Sequence, residues 1–198
     1  QRLLFRAWRF ISRWWPRAAL LTLALGAGPA PAQDAAALQV ELGSHAGAVR
    51  RIAVDPSRDW VLTGGDDKTA RVWGLGDGAL RQVLRPPVGA DEGGRVYGVA
   101  LHPQQPWAAV GGTSAGTPGQ GPALLIFDVR SGETLKRFDA RAGDVKRLLW
   151  TADGRLLVAG YAGRHGVRAF DTEGREVFAD DFPGGVYALA FKAGVLAA

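Results

Sequence analysis

An all-β fold, a β-propeller of four-stranded blades, is the class predicted by this 198-residue sequence. Three observations carry that expectation. Four segments recur on one pattern: "VRRIAVDPSRDWVLTGG" from Val49, "VYGVALHPQQPWAAVGG" from Val96, "VKRLLWTADGRLLVAGY" from Val145 and "VYALAFKAGVLAA" from Val186. Their starts lie 47, 49 and 41 residues apart, which suits a blade of about 40–45 residues with loop insertions, or a longer repeat near 50. Turn formers (Asp55-Pro56-Ser57, His102-Pro103 and Ala152-Asp153-Gly154) divide the first three segments into two strands. Beyond the first 32 residues nothing sustains a helical period.

Taken in order, residues 1–32 read as an export signal. Arg2, Arg6, Arg9, Arg13 and Arg17 precede the apolar stretch "AALLTLALGAG", and Ala30-Pro31-Ala32 fits a small-x-small cleavage site. That stretch is shorter than the roughly 20 residues a membrane span requires. Cleavage is therefore expected ahead of a retained anchor, with a periplasmic or secreted protein of bacterial type as the product. Residues 33–43 form a linker and a closing strand, in which Leu38, Val40 and Leu42 alternate with Gln39 and Glu41. Blade 1 is placed at 44–86, blade 2 at 87–139, blade 3 at 140–182, and the start of blade 4 at 183–198. Third strands are expected at 69–74, 123–128 and 166–171, and fourth strands at 79–85, 133–138 and 175–180. With Gln1 first, no methionine and an apolar C-terminal stretch, the chain is expected to be a fragment of a longer one, whose open sheet edges would favour aggregation or unfolding.

Charge argues against a phosphate-backbone partner. The leader holds five of the 24 basic residues and no acid, so 19 basic and 19 acidic residues balance in the remainder. Without a basic face, no nucleic-acid partner is expected. The absence of cysteine excludes disulfides, thiolate metal sites, thiol nucleophiles and cysteine lipidation.

The residues themselves carry a family resemblance. Ser44-His45 followed by "LTGGDDKTARVWG" resembles the WD-repeat β-propeller family, whose repeat runs from Gly-His to Trp-Asp. Phe127-Asp128 and Phe170-Asp171 stand for the same ending in the next two copies. The resemblance covers roughly 38–198. It implies that His45, Thr63, Asp67 and Trp73 form a structural hydrogen-bonded chain, in which the hydroxyl satisfies the indole N–H and the imidazole links hydroxyl to carboxylate. Gly74 departs from the expected Asp, and the later copies lack a clear loop His, so the full chain is expected in blade 1 alone. Three complete blades and part of a fourth fall within the sequence.

No catalytic site is expected. "GTSAG" (112–116) matches G-x-S-x-G around Ser114, but "TPGQGP" follows where a nucleophile elbow needs a helix. The same glycines lack a phosphate-loop Lys-Ser/Thr. His45, His102 and His165 show no metal-ligand spacing, so no metal and no cofactor is expected. A redox propeller is disfavoured because "RRIAV", "YGVAL" and "KRLLW" share no tryptophan or charged set. The insertions "RPPVGADEGG" (85–94) and "TSAGTPGQGPA" (113–123), with the loop of Tyr161, Arg164 and His165, should crowd one face. They read equally as a binding surface or as tolerated insertions. The resemblance implies a non-catalytic scaffold that binds a protein partner there, with Asp91, Glu92, Arg95, Tyr161, Arg164 and His165 as candidate contacts. The alternative is a regulatory or targeting module of a larger enzyme with a peptidase- or kinase-like domain.

Overall fold

Short β-rich runs separated by turn residues pair in chain order, as the repeat demands. The computed structural model describes residues 43–88, 93–113, 123–140, 143–192 and 195–198. The export leader, the strand of Leu38, Val40 and Leu42, and the Ser114 motif lie outside them. The first sheet comprises β1 (Val49–Asp55), β2 (Trp60–Gly65), β3 (Ala70–Gly74) and β4 (Leu80–Leu84). The second comprises β5 (Val96–Leu101), β6 (Trp107–Gly112), β7 (Ala123–Asp128) and β8 (Thr134–Asp139). The third comprises β9 (Val145–Trp150), β10 (Leu156–Tyr161), β11 (Val167–Asp171) and β12 (Glu176–Asp180). Each is antiparallel with neighbours in sequence order, and β13 (Ala190–Lys192) pairs with β14 (Val195–Ala197) in a two-stranded start of a fourth.

The all-β class therefore holds, with one shift in position. The fourth copy was expected to begin its strand at Val186, but β13 begins at Ala190. Ala190 pairs with Ala197, and Val186–Leu189 form no strand. Val186 instead donates its N–H to the Tyr161 carbonyl at 2.8 Å and is buried.

The sheets stack through a repeated contact between a glycine and a valine. A Cβ at Gly64 of β2 would overlap Val96 of β5 and come within 2.8 Å of Val99. At Gly111 of β6 it would meet Val145 of β9 at 3.0 Å, and at Gly160 of β10 it would meet Val186 at 2.5 Å. Missing side chains on the second strand thus receive the first valine of the next sheet. Around these contacts lie three continuous cores: Leu62, Val72, Val99 and Phe127 between the first two sheets, Leu124, Ile126, Phe138 and Trp150 between the next two, and Val158 with Val167 beyond. Strand β6 is accordingly buried over Ala108–Gly111, on both faces.

At the opposite end of the strands from the long insertions, the first turns of the first two sheets each grip the next sheet. Arg58, held by Asp55, donates from Nη1 to the His102 carbonyl and from Nη2 to the Pro103 carbonyl, both at 3.0 Å. His102 is 3% exposed and sits edge-on to Trp107 and Trp150. Its Nδ1 accepts the N–H groups of Gln104 (3.0 Å) and Gln105 (2.9 Å), so the ring proton is on Nε2, which donates to the Gly154 carbonyl at 3.0 Å. Protonating Nδ1 would aim a third N–H at the two already pointing there.

Two outcomes are expected. Gly64→Ala should destabilise the fold by about 1–3 kcal/mol, the usual cost of overpacking, and more than Gly111→Ala; urea midpoints measure both. Burial first, and then the Arg58 charge, hold the His102 imidazole below its ordinary value of 6.5 despite the bond to Gly154. The unfolded chain therefore binds this proton more readily, and stability should fall as pH drops below 6.5. His102→Gln should flatten that part of the urea-midpoint profile between pH 7.5 and 5.5.

Candidate functional site

Four side chains from the first sheet meet in one line. The Trp73 indole N–H donates to Thr63 Oγ1 at 2.7 Å, and Thr63 Oγ1 lies 2.7 Å from His45 Nε2. His45 Nδ1 lies 3.0 and 2.9 Å from the two Asp67 oxygens. Thr63 Oγ1 accepts the indole N–H and also lies 3.4 Å from the Arg71 carbonyl, and the imidazole joins this hydroxyl to the Asp67 carboxylate. Register supports the geometry: Thr63 pairs with Arg71 across β2 and β3, and Trp73 pairs with Val61. Asp67 also accepts the Ala46 N–H (3.1 Å), the Thr69 N–H (3.2 Å) and the Thr69 hydroxyl (2.9 Å). Burial alone would raise its carboxyl, but the bonds from His45, Thr69 and Ala46 outweigh that and hold it below the ordinary carboxylate value. Lys68 turns the chain at φ 64° just after it. Trp73 itself is only half-buried.

The second group of candidates does not form one cluster. Asp91 and Glu92 lie outside the described residues. Arg95 opens the second sheet, where its backbone exchanges bonds of 3.0 Å with Thr113 and its charge helps to hold Asp66 ionised. Arg164 and His165 are exposed on the β10–β11 turn. Tyr161 requires a correction: it is 0% exposed, its hydroxyl is buried, and burial pushes its phenol far above the usual range. Alternation along β10 puts this last residue on the same face as Leu157 and Ala159, in the core beside Phe138 and Phe170, so it cannot contact a partner.

Comparison with known proteins adds one matched repeat. Residues 37–74 match the model described as WD domain, G-beta repeat. The three four-stranded sheets, together with this one matched repeat, are consistent with a β-propeller of WD-repeat type. Over 48 residues the chain is 52% identical to Ribosome biogenesis protein erb1 of Emericella nidulans, covering 24% of this chain and 6% of that protein. Over 43 residues it is 42% identical to Pre-mRNA-splicing factor prp46 of the same fungus, covering 22% and 10%. The guanine nucleotide-binding protein subunit beta of Arabidopsis thaliana is 28% identical over 141 residues, covering 69% of this chain and 34% of that one. The chain thus spans between 6% and 34% of the length of these relatives. They also overturn the expected periplasmic or secreted location, because ribosome biogenesis and splicing are nuclear or nucleolar processes. All three are eukaryotic and give a bacterial origin no support.

The other complete blades of the propeller solve the Trp73 position without polar atoms. Val110 and Ala159 stand where Thr63 does, and Phe127 and Phe170, each 1% exposed, stand where Trp73 does. Hydroxyl and indole N–H vanish together, so no buried donor is stranded. Gly74, which replaces the family's Asp, is explained by its neighbours: a Cβ there would strike the Asp77 carboxylate and Arg81. Asp77 instead accepts the Ala79 N–H at 3.0 Å, the task Asp128 and Asp171 perform for later backbone N–H groups in their own blades.

Sequence reading missed a basic group at the start of the innermost strands. Arg50, Arg51, Tyr97, Lys146 and Arg147 line one cavity of about 300 Å³. The available signal was the pairing of Arg50-Arg51 with Lys146-Arg147 at the same phase of two copies. Thr63→Val should cost about 1–3 kcal/mol, because it leaves the Trp73 N–H unpaired. Adding Trp73→Phe should recover part of that loss, and a double-mutant cycle by urea denaturation measures the coupling.

Proposed function

We propose that this WD-repeat propeller is a non-catalytic protein-protein interaction scaffold that engages its partner where the innermost strands start and the second strands end. The observation that carries the reading is a contrast in order and exposure. Three sheets are fixed to one another by continuous cores and carbonyl grips, while Arg164 and His165 stand exposed on the turn between β10 and β11. A rigid frame with exposed polar side chains on its turns suits recognition. Antiparallel pairing places this turn at the same end as the start of β9 and the Asp144–Lys146 pair.

The relatives' names agree with work inside assemblies: a subunit of a guanine nucleotide-binding protein, a splicing factor and a ribosome biogenesis protein. Affinity capture with the intact tagged protein, compared with Arg164→Ala/His165→Ala, tests the placement. The wild type should retain a partner that the double variant loses, with the melting temperature unchanged within about 2 °C. Equal capture by a folded double variant would show that the partner sits elsewhere.

A further inference from the structure

The basic group at the mouth of the channel is built by a repeated backbone irregularity. In β1, Val49 pairs with Gly65 and Arg51 with Gly64, leaving Arg50 as an extra residue. In β5 the same shift leaves out Tyr97, and in β9 it leaves out Lys146. Successive residues of a regular strand point to opposite faces. A bulge re-aims one of them, so both members of Arg50-Arg51 and of Lys146-Arg147 line the same cavity.

The charges in this cavity are unequally matched. Arg50 is paired with Asp66 at 2.5 Å. Lys146 is paired with Asp144 at 3.2 Å and lies 4.0 Å from the centre of the Tyr97 ring. Arg51 and Arg147 have no carboxylate partner among the described residues. Arg147 spends one N–H on the Lys146 carbonyl at 2.8 Å, and Arg51 Nε is buried without an acceptor. Both guanidinium groups are driven down by burial, and Arg147 further by the Arg51 charge, so the two are close enough to repel. Gly98 occupies the equivalent position in the intervening blade. A Cβ there would press on Leu148 at 3.1 Å and on the Arg147 backbone at 3.3 Å. The blade between the two arginines therefore adds no charge of its own at this position and presents Tyr97 to the cavity.

We propose that Arg51 and Arg147 form an oxyanion site that receives an acidic side chain from a segment of the protein partner. This deepens the scaffold reading and rests on it. Guanidinium groups pair with carboxylates through two parallel N–H donors, and they are the cations that best tolerate desolvation. The size of the cavity favours one or two carboxylates over a nucleic-acid backbone, which needs an extended basic surface.

The test is fluorescence anisotropy on the intact protein with a labelled hexaglutamate peptide, its hexaglutamine counterpart and a single-stranded oligonucleotide of equal charge, each at 50 and 500 mM salt. Hexaglutamate should bind, hexaglutamine should not, and inorganic phosphate should compete. Arg51→Gln and Arg147→Gln should each weaken binding at least tenfold while the melting temperature stays level or rises, since a repulsion is removed. Arg51→Lys should retain part of the affinity. The assignment is overturned by undiminished hexaglutamate binding in the folded double variant, by tighter binding of the oligonucleotide, or by a melting temperature that falls several degrees. Partner capture separates the two readings. A partner still held by the folded Arg51→Gln/Arg147→Gln protein sinks the oxyanion site and spares the scaffold; peptide binding without any captured partner sinks the scaffold.

Discussion

The fold depends on contact between one four-stranded sheet and the next, and that contact needs a gap in the second strand. Gly64, Gly111 and Gly160 provide it, and Val96, Val145 and Val186 fill it. Because β6 is covered on both faces, the second blade can carry almost nothing polar inside its sheet. Hydrophobic burial is non-directional. The glycine–valine pairs supply what it lacks, a fixed depth of insertion at each interface. Val49, the equivalent of these valines in β1, is 52% exposed, as are Ile52 and Val54 to similar degrees, because no described glycine-bearing strand faces them.

Polar interactions occupy the places this packing leaves. At one end, carbonyl grips through Arg58 and His102 join successive first turns, and in the first blade the line from Trp73 to Asp67 fixes the β2–β3 turn. The two devices differ in how they tolerate change. The Trp73 line is internally matched, so loss of donor and acceptor together leaves an apolar pair such as Val110 and Phe127. The His102 grip is matched to backbone carbonyl and N–H groups, which no substitution can remove. It therefore depends on one imidazole tautomer and on the ring staying neutral.

Much of this was legible in the sequence because repeats and turn residues are local signals. Strands β3, β7 and β11 fall within a residue of their expected limits, since each begins and ends at turn chemistry. What was not legible depends on register. Tyr161 closes the run "LLVAGY" and reads equally as strand end or loop; continuation of β10 through it puts it on the inward face with Leu157 and Ala159. His102 precedes a proline and reads only as a turn residue, until the neighbouring blade brings Gly154 and Trp150 against it.

Arg51 and Arg147 were obscured for the same reason, in a sharper form. They stand at one phase of two copies with Tyr97-Gly98 between them, so the copies appear to share nothing. Three bulges at the same step of three innermost strands turn that mismatch into a single cavity wall. Desolvating two like charges without a counter-charge opposes folding, and nothing in the sheets requires guanidinium groups there. Gly98 holds the intervening position without a side chain and against the Arg147 backbone. A purely structural solution would place apolar residues at all three positions, as Val99, Leu101 and Leu149 already do deeper in the channel. The cations there are therefore best understood by what they can receive: an anion brought by something other than the described residues.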